Sequence, residues 1–287
     1  GIVRKTAVTA AVFAANRLRV RSFAVTAIEK FAACPYRFLL AAIHKIPARE
    51  RRPSLDRLDP ITRGVLFHRV QATTLARLER EGVLPLSLAN QTQALELIDA
   101  CLDKAARDYE ERMLPTVSSV FWDEIRRIRV ELHAWIGQVI EEGNSLEPIR
   151  YDLSFGLPSH EHEDPRSVLD AAKLEGGYLL HGAIDIVERH LATRLCRVTD
   201  IKTGTSFAKP AMVIGGGEVL QPVLYALALE AVWQERVVDA RLSFCTQRGG
   251  NSEHVIAMDA RARASARRVL DLVDDAVEKG FFPAAPR

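Results

Sequence analysis

At 287 residues, 48% hydrophobic and 26% charged, the chain has an ordinary globular composition and enough length to bury a full core. A formal net charge of +2 excludes a polyelectrolyte that holds nucleic acid through its overall field, so any such contact must come from local basic patches. No apolar run approaches membrane-spanning length, and Cys34, Cys101, Cys196 and Cys245 are too dispersed for a zinc ribbon or a disulfide framework, so the expectation is a protein of the reducing cytoplasm with no membrane partner.

Residues 1–28 carry Arg4, Lys5, Arg17, Arg19 and Arg21 but no acid, a bias shared with organelle leaders. No small-residue cleavage signal follows, and the reading preferred is a chain that begins inside a longer protein. Residues 22–42 predict a helix entered through Thr26 as N-cap, with Ile28, Phe31, Ala32 and Phe38 on one side and a break at Pro35. Lys45, Arg49, Arg51, Arg52 and Arg57, punctuated by Pro47 and Pro53, then form a basic connection that is either a solvated loop or a contact for phosphates.

Asp59-Pro60 reads as an N-cap followed by proline at the first helical position, opening a helix to Arg80 with Ile61, Val65, Ala72 and Leu75 on its apolar face. His68 falls within that stripe, as a satisfied core histidine or as a ligand reaching a neighbouring sheet. Residues 90–113 and 119–142 give two further amphipathic helices, the first striped by Leu95, Ile98, Leu102 and Ala105, the second by Phe121, Ile125, Ile128, Leu132 and Trp135 or Ile136.

Past Gly143 the period changes to two. Residues 149–155 predict a strand with Tyr151, Leu153 and Phe155 on one face and Asp152 and Ser154 on the other. The following loop carries His160 and His162, a pair with no third ligand at a metal-binding spacing, which reads as surface. Two β-branched stretches, 181–188 and 195–204, then predict an antiparallel hairpin centred on Leu191 and Ala192, with Asp185 opposite Asp200 and Lys202 on the same face as Asp200. Facing carboxylates on a half-buried sheet repel. Either Lys202 neutralises one of them as a structural ion pair, or a hard divalent cation binds Asp185, Asp200 and the Ile201 carbonyl.

Gly215-Gly216-Gly217 lacks the Lys-Ser/Thr ending of a phosphate-binding loop and reads as a flexible lead into a helix over 218–236, where Gln221 and Tyr225 lie one turn apart. A hairpin over 239–258 and a last helix over 260–279, capped by Gly280, complete the chain. Internal repeats, a Gly-x-Ser-x-Gly elbow and a dinucleotide-binding glycine fingerprint are absent from the sequence.

The ordered set Arg63-Gly64-x-x-x-His68, Gly182-x-Ile184-Asp185, Asp200-x-Lys202-Thr203-Gly204 and Gln221-x-x-x-Tyr225 resembles the PD-(D/E)XK nuclease superfamily. Within it the chain looks like RecB- and AddB-type nuclease domains and the related CRISPR adaptation exonucleases. Cys34-Pro35-Tyr36-Arg37-Phe38, after a Thr26-x-x-Glu29 opening, is similar to the same group, and the resemblance runs from about Ser22 to the end. It implies an α/β (mixed α+β) fold: a restriction-endonuclease-like core with a central mixed β-sheet flanked by helices, plus an inserted helical subdomain. The division that follows is 1–59 as an N-terminal strand and helical segment with the basic linker, 60–145 as the helical subdomain carrying His68, and 146–287 as the nuclease core.

The resemblance implies His68, Asp185, Asp200 and the Ile201 carbonyl as ligands of Mg²⁺ or Mn²⁺, Lys202 as the catalytic lysine, and Gln221 with Tyr225 beside it. Arg37, Arg63, Arg49, Arg51 and Arg52 are then candidate DNA contacts. The implied activity is metal-dependent hydrolysis of DNA, as an exonuclease on single strands or duplex ends, in recombination and double-strand-break repair with a helicase subunit or domain. The alternative is a catalytically silent DNA-binding or scaffolding module of such a complex. Several relatives hold an iron–sulfur cluster with a cysteine matching Cys34 and three more near the carboxyl end. Residues 281–287 resemble the approach to that group without reaching it, so Cys34 is a candidate cluster ligand only in a longer chain, and no complete cluster is expected in this one.

Overall fold

The computed structural model describes residues 7–47, 58–113, 117–143, 145–159, 163–209 and 211–285. The basic arginines Arg49, Arg51 and Arg52 and the pair His160 and His162 lie outside the described residues. Those described form three layers, with helices on both faces of a seven-stranded mixed sheet.

The chain opens with α1 (Ala7–Ala15), which sequence reading did not anticipate, then β1 (Phe23–Ala24) and α2 (Val25–Ala33). The N-cap of α2 is Ala24, with no side-chain cap, and Thr26 sits inside the first turn rather than capping it. The helix ends where Pro35 demands it: Cys34 is extended, and α3 (Pro35–Phe38) restarts with the proline at its first position and runs into a π-helical turn, Leu39–Ile43.

Asp59 caps α4 (Pro60–Arg80) as expected, accepting from the Ile61 and Thr62 N–H groups at 3.0 Å. Its buried face agrees with that predicted in the second half of the helix, where Ala72 and Leu75 are buried, and departs from it in the first. Ile61 and Val65 are 79% and 63% exposed, while Leu66, Phe67, Val70, Thr74, Leu75 and Leu78 turn inward. In the first turns Leu66, Phe67 and Val70 bring more apolar side-chain volume to the core than Ile61 and Val65 would, and packing selects them. Helices α5 (Gln91–Met113) and α6 (Ser118–Glu141) follow, the latter burying Phe121, Ile125, Ile128, Leu132, Trp135 and Ile136 together. These three helices share one apolar cluster with Tyr151, Ile186, Ile201 and Cys245 of the sheet.

Strand β2 (Leu146–Phe155) pairs antiparallel with β4 (Leu179–His190), and the two-residue β3 (Ala172–Lys173) also pairs with β4. The expected single face of Tyr151, Leu153 and Phe155 does not form: Tyr151 packs with α4–α6, whereas Leu153 and Phe155 join the opposite cluster. The cause is Asp152, whose φ of 52° interrupts the alternation between them. Strand β4 pairs antiparallel with β5 (Cys196–Lys202), which runs parallel to β6 (Val237–Phe244), itself antiparallel to β7 (Ser252–Ala257).

The second face is covered by α2, α7 (Gln221–Trp233) and α8 (Ala260–Lys279). Helix α7 is apolar nearly all round, burying Val223, Leu224, Ala226, Ala228 and Leu229, because it lies between the sheet and α2 and α8. The glycine triplet before it is not a flexible lead. All three residues have positive φ, from 51° to 97°, which glycine adopts without strain, and a Cβ on Gly217 would stand 2.9 Å from Ala32 Cβ, where a side chain does not fit. Among the described residues, no helix is long and apolar enough to cross a membrane.

Candidate active site

The hairpin of β4 and β5 pairs Ile186 with Thr199, Val187 with Val198 and Glu188 with Arg197. That register turns the chain between Ala192 and Thr193, one residue beyond the predicted centre; the ladder ends at Ile186 and Thr199, and Asp185 and Asp200 are the next residues on the two strands. The Asp185 carboxylate is fixed across the strands, where its Oδ2 accepts from the Ile201 N–H at 2.7 Å. Asp200 is 3% exposed, and the two-residue period sets Lys202 on its side, with Nζ 2.7 Å from Asp200 Oδ2.

Two helices bring the remaining groups. Helix α4 passes close to the end of β5, since a Cβ on Gly64 would be 3.5 Å from Thr203 Oγ1, and one turn later His68 Nδ1 lies 3.4 Å from Asp185 Oδ1. From the opposite layer, α7 starts at Gln221, whose Oε1 accepts from Lys202 Nζ at 2.6 Å and whose Nε2 donates to Tyr225 Oη at 3.5 Å. Gly182 is required beside them: a Cβ there would be 2.8 Å from Tyr225 Cε1. The first turn of α7 is itself held from α2, with Glu29 Oε1 accepting from the N–H groups of Leu220 and Gln221 at 2.8 and 2.9 Å.

Charge in this cluster is unevenly placed. Burial pushes the Asp200 carboxyl up, against the attraction of Lys202 and helped by the repulsion of Asp185, to about 6. Burial acts the same way on Asp185, but His68 and the Ile201 N–H outweigh it and hold that carboxyl below its usual range. Burial disfavours charge on His68 and Lys202, yet Asp185 raises the imidazole and Asp200 raises the ammonium. Burial also pushes the Glu29 carboxyl up, opposed by the two backbone N–H groups it accepts from.

Asp185, Asp200 and the Ile201 backbone bring oxygen donors of the kind a hard divalent cation takes, with His68 at hand. Asp200 Oδ2 is buried and meets Lys202 without hydrogen-bond geometry, an acceptor left with one lone ion pair. Among the described residues, no three His, Cys, Asp or Glu side chains converge as a ready-made metal cage. Instead His68 closes on Asp185 and Lys202 on Asp200. The donor chemistry fits a cation, which would replace these two pairings.

The other predicted residues divide. Arg63 is turned toward α6, where it pairs with Glu131 and, at 3.7 Å, Glu124, with its side chain 13% exposed. Arg37 stands exposed on α3. Cys34 Sγ accepts from the Ala285 N–H at 3.4 Å, so the described end of the chain returns to the α2–α3 break; Phe282 packs there against Phe38 and Phe13. Glu29 was visible in the sequence only as part of the opening before Cys34. Nothing in the spacing revealed that it reaches Gln221, 192 residues away.

Comparison with curated proteins gives no match. The model of the PD-(D/E)XK nuclease superfamily matches residues 22–287, which include every side chain of the cluster just described, and the chain belongs to that superfamily.

Proposed function

We propose that the protein is a metal-dependent deoxyribonuclease that hydrolyses phosphodiester bonds at single-stranded or duplex DNA ends. The observation that carries this reading is the meeting of Asp185, Asp200, Lys202 and Gln221 from two strands and a helix, in a chain whose superfamily is one of nucleases. His68, Asp185, Asp200 and the Ile201 carbonyl would hold Mg²⁺ or Mn²⁺, which when bound polarises the phosphoryl group and lowers the pKa of water. The Ile201 N–H orients Asp185, and Gln221 orients Lys202. A Lys202 ammonium fixed in this way offers a positive charge to the phosphate oxygens and a donor to the attacking water. Tyr225, wedged over Gly182, limits how far Gln221 swings.

The test is cleavage of end-labelled DNA by purified protein with Mg²⁺ or Mn²⁺, beside Asp200→Ala and Lys202→Ala. Cleavage by the wild type and its loss by at least about a hundredfold in both variants is the expected result. Intact DNA under both metals overturns the enzymatic reading and leaves a DNA-binding module. Assignment to recombination and break repair beside a helicase rests on the likeness to RecB- and AddB-type domains, and is tested by co-purification with an ATP-driven motor.

A further inference from the structure

A cavity of about 530 Å³ opens beside the cluster, between β1, α2, the π-helical turn and β4. Its polar lining is Arg21, Ser22, Thr26, Lys30, Lys45 and His181, and among the described residues no acidic one lines it. The arginine is held in place. Its guanidinium lies 4.3 Å from the Phe23 ring centroid and Nη2 donates to the Ala42 carbonyl at 2.6 Å, while Nε is without a partner. Burial lowers the Arg21 pKa, as for a partly desolvated cation with no acidic partner among the described residues. His181, bonded through Nδ1 to Ser22 Oγ at 3.0 Å, is likewise lowered by burial and by the charge of Arg21, which leaves it a neutral hydrogen-bonding group. Lys30 and Lys45 are exposed at the rim.

Two elements tie this cavity to the active site. On α2, Glu29 turns to the first turn of α7 and the next residue, Lys30, lines the cavity. On β4, His181 lines it, Gly182 touches Tyr225, and Asp185 follows. Asp185 lies four steps along the strand from His181, about 13 Å at roughly 3.3 Å per residue. A stacked strand advances about 3.4 Å per phosphate, so that distance corresponds to roughly four phosphates, and fewer in an extended strand.

We propose that this cavity is a phosphate-binding subsite that grips the DNA strand at a non-scissile phosphate, within roughly four nucleotides of the bond cut. The inference rests on the nuclease reading and adds to it where the strand is held. The phosphate is an internal phosphodiester or a terminal phosphate, and both share the chemistry the cavity offers: several donors and an uncompensated positive charge.

The test uses the full chain in EDTA with fluorescent single-stranded oligonucleotides, measuring Kd against salt. Lys30→Gln/Lys45→Gln changes only exposed positions and should keep the wild-type melting temperature. Its affinity should fall at least about tenfold at low salt, with the salt slope reduced by roughly 0.7 for each phosphate no longer neutralised. Arg21→Gln should weaken binding further. A weakening seen only with oligonucleotides bearing a 5′- or 3′-phosphate identifies a strand end; an equal weakening without one identifies an internal phosphodiester. A double-lysine variant that binds with wild-type affinity and slope, while the wild type cleaves DNA, overturns the subsite alone. A wild type that neither binds nor cleaves DNA overturns the nuclease reading and the subsite with it.

Discussion

Glu29 and Gln221, far apart in the chain, meet where the α2 carboxylate accepts the Gln221 N–H at 2.9 Å and the same glutamine's side chain accepts from Lys202 at 2.6 Å. The position of the lysine is therefore set from α2 through one intermediate residue. Replacing Glu29 with Ala leaves two N–H groups at the start of α7 without their acceptor, a loss of about 1–3 kcal/mol. Cleavage should fall about tenfold or more through a lower kcat with KM little changed. Glu29→Gln, which keeps an acceptor oxygen in a place where burial already favours the neutral form, should recover most of that rate. Single-turnover kinetics on the two variants, compared with their melting temperatures, makes the check; equal rates for Ala and Gln would sink it.

Asp200 gives a pH dependence whose sign is fixed. Its carboxyl is raised to about 6 in the folded chain, so between the ordinary carboxylate range and pH 6 the folded state holds the proton that the unfolded state has released. Stability without metal therefore falls as pH rises through that window. Asp200→Asn removes the buried charge and should raise Tm at pH 7.5 in EDTA by at least about 2 °C, on a scale of roughly 2–4 °C per kcal/mol, with the gain vanishing toward pH 4. Added Mg²⁺ or Mn²⁺ should raise the Tm of the wild type and leave the variant unmoved.

The same proton competes with the cation. Metal binding should weaken as pH drops below about 6, approaching tenfold per unit, and release a proton near that pH. Titration calorimetry in buffers of different ionisation enthalpy reads the proton directly; a binding enthalpy independent of buffer would contradict it.

What the sequence showed and what it hid follow from the range of the interactions. The cap at Asp59, the break at Pro35, the antiparallel pairing of the strands that carry Asp185 and Asp200 and the Gly280 stop depend on neighbours or on a two-residue period, and all are legible locally. The inward face of α4 was legible at Ala72 and Leu75 but not in its first turns, where Ile61 and Val65 lie outward and packing chose Leu66, Phe67 and Val70. Nor was the glycine triplet, whose last member, Gly217, answers to Ala32 on another helix. The motif spacing gave the residues of the cluster, but the closing of His68 on Asp185 and the reach of Glu29 to Gln221 are tertiary facts.

Gly182 shows how closely that cluster is built. With a Cβ 2.8 Å from Tyr225 Cε1, Gly182→Ala forces the ring of a buried tyrosine aside, and Gln221 and Lys202 are linked to it in turn. Cleavage should fall at least about tenfold while metal-induced stabilisation persists, since Asp185 and Asp200 stay on their strands. Pairing the change with Tyr225→Leu, which gives up the ring, should recover part of the lost stability; a double variant no more stable than Gly182→Ala would argue against the steric account.

A second network, away from the cluster, holds the sheet beneath it. Arg241 is 4% exposed and its guanidinium meets both oxygens of Glu188 at 2.9 and 3.0 Å, Glu142 at 2.6 Å, Glu253 at 3.1 Å and Thr199 Oγ1 at 3.1 Å. Burial opposes its charge, but these carboxylates more than offset that and hold the group protonated. Truncation to Ala strands Glu188, itself 7% exposed, without its counter-ion, a change that costs about 3–5 kcal/mol. Thr199 precedes Asp200 on β5 and Glu188 lies three residues after Asp185 on β4, so the loss should also loosen the metal site. Arg241→Ala should lower Tm by roughly 6–20 °C at 2–4 °C per kcal/mol. Arg241→Ala/Glu188→Leu, which removes the orphaned charge and fills the space, should restore much of it. A double variant that melts no higher than Arg241→Ala would show that the stability lies in the packing of the arginine's carbons and not in its charge.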